Sequence, residues 1–147
     1  MSPQEKALVK ETWLKLAPMA DSAARLFYNR LFEIDETVRP LFETTDLKEQ
    51  RQKLIHALAA VVQGLDHLEE LVPTLAGLGR RHVQYGVTDS HYESVGDALL
   101  WTLEQGLGSE WTSEAKAAWS SAYLLLTGVM RESTRGSAEA GTLQLSD

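Results

Sequence analysis

The chain has no cysteine in its 147 residues. Disulfides, thiolate zinc sites, iron–sulfur clusters and cysteine nucleophiles are therefore all excluded, which fits a reducing compartment. Apolar runs such as Tyr123–Leu126 are far too short to span a bilayer. No basic amphipathic segment points to a membrane surface. The N-terminal stretch, MSPQEKALVK, has no apolar signal core, so a cytoplasmic location is expected. Positive charge is scarce as well. Fourteen Lys and Arg stand against 21 Asp and Glu, a net charge of −7, which argues against nucleic acid as a partner. Several catalytic signatures are also missing. There is no His-Glu-x-x-His zinc spacing, no phosphate loop and no Gly-x-Ser-x-Gly elbow. Gly77-Leu78-Gly79 is too short for a dinucleotide fingerprint and follows no strand. The acidic pair Glu69-Glu70 reads as solvated helix surface.

What remains is almost wholly helical in pattern. Hydrophobic residues make up 44% and charged residues 24%, ordinary values for one globular domain with a real core. Ser2-Pro3-Gln4-Glu5 is a capping box with proline at the first helical position. The helix it opens carries Ala7, Leu8, Trp13 and Leu14 and stops at Pro18. A second helix, about Asp21 to Phe32, places Ala23, Phe27 and Leu31 on one stripe with Tyr28 beside it. Pro40 keeps Asp35 to Phe42 irregular. The spacing predicts a third helix from about Leu47 to Gly64. Another follows a turn near Asp66, with Pro73 marking its start and Leu71 just outside it. Ser90-His91-Tyr92-Glu93 reads as a second capping box, opening a helix that buries Tyr92, Val95, Leu99 and Leu103 and ends near Gly106. A last helix starts at Thr112 or Ser113, with Ala115, Ala118, Trp119, Ala122, Leu126 and Val129 in register. The expected domain is residues 1–132. From Ser133 the composition turns small and polar, so 133–147 is expected to be a flexible tail.

Two of these helices carry matching stripes. Gln50, Leu54, Leu58, Val61 and Leu65 share one face of the third helix; Leu71, Leu75, Leu78, His82 and Tyr85 share one face of the next. Each stripe is apolar except near its end. Facing each other, they would enclose a greasy slot with an imidazole on one wall and an amide on the other, a shape suited to a flat apolar cofactor needing one axial nitrogen. Taken singly, each residue has a plainer reading. A histidine on an apolar face is more often packing than a ligand, although imidazole is the commonest side-chain metal ligand. Gln50 alone reads as a surface amide, Tyr28 as a core tyrosine, Phe42 as packing and Lys53 as a solvated charge. His56 lies roughly 200° round the helix from Leu54 and points away. His67 falls in a turn and His91 in a cap, and neither is assigned a site.

From about residue 3 to 132 the chain resembles the globin family. The stretch Leu78-Gly79-Arg80-Arg81-His82-Val83-Gln84-Tyr85-Gly86-Val87, followed by His91-Tyr92-Glu93-Ser94-Val95-Gly96, looks like the proximal helix and corner of single-domain bacterial globins, flavohaemoglobin haem domains and neuroglobin. Ala115-Lys116-Ala117-Ala118-Trp119-Ser120 and Tyr123 look like the last globin helix, and Pro40-Leu41-Phe42 like the corner bearing a haem-stacking phenylalanine. The resemblance implies an all-α globin fold of six to eight helices sandwiching a haem. It implies haem b as cofactor, with His82 as proximal ligand, its other ring nitrogen donating to the Leu78 carbonyl. Phe42, Leu54, Tyr85, Val87, Tyr92, Val95 and Leu99 would line the macrocycle. Lys53 and Arg81 would pair with its propionates.

Tyr28 and Gln50 fall where the family keeps its distal residues. A hydroxyl and an amide aimed at a bound gas imply slow oxygen release. The ligands implied are dioxygen, nitric oxide and carbon monoxide. Two functions follow: nitric oxide dioxygenation to nitrate, with a separate reductase, or oxygen storage, delivery or sensing without turnover. Whether the chain is an enzyme stays open at this point, beside a plainer reading as a helical interaction domain without cofactor. A bacterial source and a monomer or weak homo-oligomer are the remaining expectations. Two departures stand out. Glu36 replaces a proline common in the family. Thr134 stands near where flavohaemoglobins place a glutamate that strengthens the proximal push with His82 and Tyr92. Glu132 lies nearby, but Thr134 cannot take that role, which weakens the case for peroxidase-like chemistry.

Overall fold

The computed structural model describes the backbone of residues 1–141 and the side chains of residues 1–132. Among the described residues there are six α-helices and no strand: α1 (Pro3–Leu16), α2 (Ala20–Ile34), α3 (Leu47–Gln63), α4 (Leu68–Gln84), α5 (Asp89–Leu107) and α6 (Ser113–Gly141). Short 3₁₀ turns, Ala17–Met19, Arg39–Phe42 and Gly108–Glu110, fill three of the links. The all-α expectation holds. Among the described residues no helix is long and apolar enough to cross a membrane.

Helix starts follow from side chains that accept the unpaired amide protons of the first turn. Ser2 Oγ accepts from the Glu5 amide at 3.1 Å and Glu5 Oε1 accepts from the Ser2 amide at 3.0 Å, so the first capping box forms as read. Asp46 Oδ1 accepts from the Lys48 and Glu49 amides at 2.9 and 3.3 Å. Thr112 Oγ1 accepts from the Ala115 amide at 3.1 Å and opens α6.

The second expected box is displaced by two residues. Thr88, not Ser90, is the cap of α5, and its amide donates to His91 Nδ1 at 3.0 Å. The reason lies in the rest of the ring. With Nδ1 accepting, Nε2 carries the proton and donates to Thr37 Oγ1 at 2.9 Å. The Thr37 hydroxyl in turn donates to Asp35 Oδ1 at 2.5 Å, and Ser94 Oγ donates to Asp35 Oδ2 at 2.7 Å. The Thr37 hydroxyl first, then that of Ser94, hold the Asp35 carboxyl below its usual range. This chain of bonds ties the start of α5 to the end of α2. Only a cap at Thr88 completes it.

Two other boundaries differ from expectation. Helix α4 starts at Leu68, five residues before Pro73, so Leu71 lies inside it. Pro73, the sixth residue of the helix, forfeits the bond to the Glu69 carbonyl, and packing of the apolar face that includes Leu71 and Leu75 offsets that loss. At the other end, the α6 backbone stays helical to Gly141, past Ser133, where Ala138, Glu139 and Ala140 favour helix. The rest of the expected tail, 142–147, lies outside the described residues.

Packing places the site. Val9, Thr12, Trp13 and Leu16 bury the inner face of α1, whereas Leu14 is 72% exposed and takes no part in the core. Trp119 Nε1 donates to Thr12 Oγ1 at 2.8 Å, so the buried indole is satisfied. Helix α2 packs on α5, α1 and α4 pack on α6, and α3 leans on α2. Helices α3 and α4, though consecutive, are not a closely packed pair.

Close approach of α5 and α6 depends on Gly96. A Cβ there would meet Tyr123 Cε2 at 2.8 Å. The Tyr123 ring cannot swing aside freely, because its hydroxyl donates to the Tyr92 carbonyl at 2.5 Å. Gly96→Ala gains about 1 kcal/mol of helix propensity, but overpacking costs typically 1–3 kcal/mol. A net loss of about 1 kcal/mol, the middle of the resulting range, is expected in urea unfolding. An equal or higher midpoint would show that the helices separate without cost.

Candidate functional site

The two stripes are half-buried faces. On α3, Gln50, Leu54, Leu58 and Val61 are each partly covered, and Leu65, just past the helix end, is fully buried. On α4, Leu75 is buried, and Leu71, Leu78 and His82 are half-buried. Val61 joins them: it packs against the main core and also against the cluster of Leu75, Tyr92 and Met130 that takes in Leu71, Leu78 and Val87. An apolar cavity of about 130 Å³ lies at this far end of both stripes, lined by Val61, Leu71 and Leu75 with Leu126 and Val129 of α6. Tyr85 differs from the rest of its stripe. It caps the end of α4 and is 62% exposed, its ring 6.3 Å from that of His82.

His82 has a defined tautomer. Its Nδ1 lies 2.6 Å from the carbonyl oxygen of Leu78, one turn earlier. A carbonyl can only accept, so Nδ1 carries the proton and Nε2 presents its lone pair. No hydrogen bond to Nε2 occurs among the described residues. The imidazole ring is stacked 6.3 Å from that of Tyr92 at an interplanar angle of 23°.

The polar pair belongs to α2 and α3. Gln50 Nε2 donates to Tyr28 Oη at 3.1 Å. Tyr28 is 5% exposed, and burial pushes its hydroxyl pKa up, the Gln50 amide opposing this only in part. The tyrosine therefore stays protonated and keeps its own O–H to donate. Aromatic rings wall this corner. Phe42 meets Tyr28 edge-on at 5.6 Å and Phe32 at 5.8 Å.

The remaining expected residues distribute as follows. Leu54, Val95 and Leu99 pack with Phe42 in the main core, and Val87 with Leu78 and Tyr92 in the second. Lys53 and Arg81 are exposed. Sequence reasoning passed over Phe32, although it sits one turn after Tyr28 and spacing alone could have found it. It also passed over Arg131, whose guanidinium carbon lies 4.5 Å from the centre of the Tyr92 ring. No spacing rule connects those two.

These features define an all-helical protein with one imidazole and one tyrosine–amide pair set among apolar helix faces. The chain belongs to the globin family, and the family model, Globin, matches residues 25–130. It is 29% identical to neuroglobin from Danio rerio over 96% of this chain and 95% of that protein. It is 34% identical to a flavohemoprotein from Bordetella parapertussis over 84% of this chain, which spans only 31% of that protein. The fold is also that of a hexacoordinated haem protein from an anhydrobiotic tardigrade, with a TM-score of 0.82 at 20% identity, covering 92% of this chain and 96% of the other.

The residues present fit haem. Among the described residues no group of three His, Cys, Asp or Glu side chains could hold a bare metal ion. His82 offers a single oriented donor, so a metal there must bring its other ligands with it, as porphyrin does. The half-buried apolar faces beside His82 suit a macrocycle. The geometry makes one expectation that needs no cofactor. In haem-free protein at pH 8, long-range proton–nitrogen NMR should show neutral His82 protonated at Nδ1. Protonation at Nε2 would mean that Leu78 does not set the ring.

Proposed function

We propose that this globin binds haem b through His82 and holds dioxygen tightly beside Tyr28 and Gln50, in the service of nitric oxide dioxygenation to nitrate. The observation that carries the reading is the contact between Gln50 and Tyr28, 22 residues apart in sequence and 3.1 Å apart in space. Phe42, Leu54, Val87, Val95 and Leu99 would line the macrocycle, with Leu78 and Tyr92 behind His82. Tyr85, Lys53 and Arg81 would meet its edge. The exposure of Lys53 and Arg81 suits pairing with propionates.

The chemistry haem supplies when bound is coordination of a diatomic gas, with negative charge passed to it. The protein's own part is to meet that charge. By accepting from Gln50, the Tyr28 oxygen becomes a better-polarised O–H donor. The pair stands in an apolar, partly water-excluded corner, where a hydrogen bond to a charged group is worth roughly 1.5–3 kcal/mol. Leu54, one turn after Gln50, limits the space left for a gas. Gln50 is a poor ligand for iron, so His82 is the described residue that would hold the group.

Tyr28→Phe removes the donor and keeps the ring. Oxygen dissociation measured by stopped flow should then quicken about 10- to 100-fold. A change within about twofold would mean that the tyrosine does not hold the ligand.

Catalysis needs electrons from outside the domain. With a reductase and NADH present, steady nitric oxide loss with matching nitrate is expected. A second reading, oxygen storage or sensing, draws on the likeness to neuroglobin. A single turnover followed by a halt, with the reductase active, would favour this second reading.

A further inference from the structure

Behind His82, side chains from three helices are in contact in series. The His82 ring of α4 stacks with the Tyr92 ring of α5 at 6.3 Å and 23°. The Arg131 guanidinium of α6 lies over the same Tyr92 ring, 4.5 Å from its centre. Arg131 is held at its other side by Asp89, at the start of α5. Its Nη2 donates to the Asp89 carbonyl at 3.2 Å, and its Nε lies 3.9 Å from Asp89 Oδ1. Tyr92 is held by its backbone, whose carbonyl accepts from the Tyr123 hydroxyl, and by packing with Leu75 and Met130. The Tyr92 hydroxyl is buried without a hydrogen-bond partner among the described residues. The plane of the ring is therefore set through its faces and edges, and two of its neighbours are an imidazole and a cation.

We propose that Arg131 is a positioning residue for His82: through Tyr92 it fixes the plane of the imidazole and places a positive charge behind that ring. The inference rests on the haem reading above. Its physical content has two parts. A cation over an aromatic ring is attracted to it, and the attraction grows where water is excluded, so the guanidinium presses the Tyr92 ring into one position. The same charge, partly screened by Asp89 and by solvent, acts across the buried Tyr92 ring on any charge that His82 helps to carry. Were the group held by His82, its oxidation would place more positive charge near the imidazole. Arg131 opposes this and favours the reduced state.

A role as a mere strap between α5 and α6 would affect stability and nothing else. The test therefore reads the redox balance. Holoprotein is poised at a fixed ambient potential near its midpoint, and the ferric-to-ferrous ratio is read by absorbance. Arg131→Gln should raise the ratio about threefold or more, and shift the iron–histidine stretching band of the ferrous form in resonance Raman. Arg131→Lys keeps the charge and should restore most of the ratio. Tyr92→Leu removes the intervening ring and should shift the Raman band even with Arg131 present. In haem-free protein, the carbon-bound ring protons of His82 should move in Arg131→Gln.

An unchanged ratio and band in folded, haem-loaded Arg131→Gln would overturn the proposal, and a lowered melting temperature alone would leave only the strap. Failure of the parent protein to take up haem would sink the functional reading and this inference together. Haem uptake with an unmoved ratio and band sinks the inference alone.

Discussion

The bond from His82 Nδ1 to the Leu78 carbonyl is the constraint on which the site depends. A backbone carbonyl four residues earlier in a helix is normally taken by an amide, and here it also receives an imidazole proton. The bond does two things at once. It selects the tautomer that leaves Nε2 basic, and it fixes the ring relative to a rigid helix, not a loop. Everything asked of α4 serves that placement. The helix accommodates Pro73 because packing of its apolar face offsets the one lost bond. Its inner face is anchored through Leu75, and α6 supports it from behind.

Between α2 and α3, two polar side chains satisfy each other. Tyr28 and Gln50 come from different helices and meet through one hydrogen bond, walled by Phe42 and Phe32. Burial keeps the tyrosine protonated, so the corner offers donors and no negative charge. The division is physical. Helix α4 presents a lone pair, and the corner between α2 and α3 presents protons. On the proposed reading, a ligand that gains negative charge when it binds would be favoured by those donors; one that stays neutral would gain much less. The network of His91, Thr37, Asp35 and Ser94 contributes at one remove. It fastens the segment between α2 and α3, which carries Phe42, to the start of α5, which carries Tyr92.

The helices and both stripes were legible because a half-buried helix writes its face into the sequence every three to four residues. Gln50, Leu54, Leu58 and Val61 fall together by that rule alone, as do Leu71, Leu75, Leu78 and His82. Other features were not legible, for identifiable reasons. Leu14 looks like core, but the face of α1 is decided by Val9, Thr12, Trp13 and Leu16 against α6. The cap of α5 looks like Ser90, but Thr88 wins because it completes a network reaching back to Asp35. Tyr85 has the right spacing and lies past the point where the helix is covered. The meeting of Tyr28 with Gln50 was expected only through resemblance to globins, since no local rule joins residues on separate helices. Arg131 over Tyr92 carries no sequence signal, because a cation–ring contact between helices has no characteristic spacing.

The central claim is that one imidazole, presented by α4, is the chain's bond to a porphyrin-held iron. The most direct measurement compares haem retention in His82→Gly with and without free imidazole, followed by the Soret band after gel filtration. The account predicts a folded helical protein that loses its pigment and regains a parent-like spectrum when imidazole fills the gap. Full retention of pigment by the variant, with an unaltered spectrum and no response to imidazole, would contradict it.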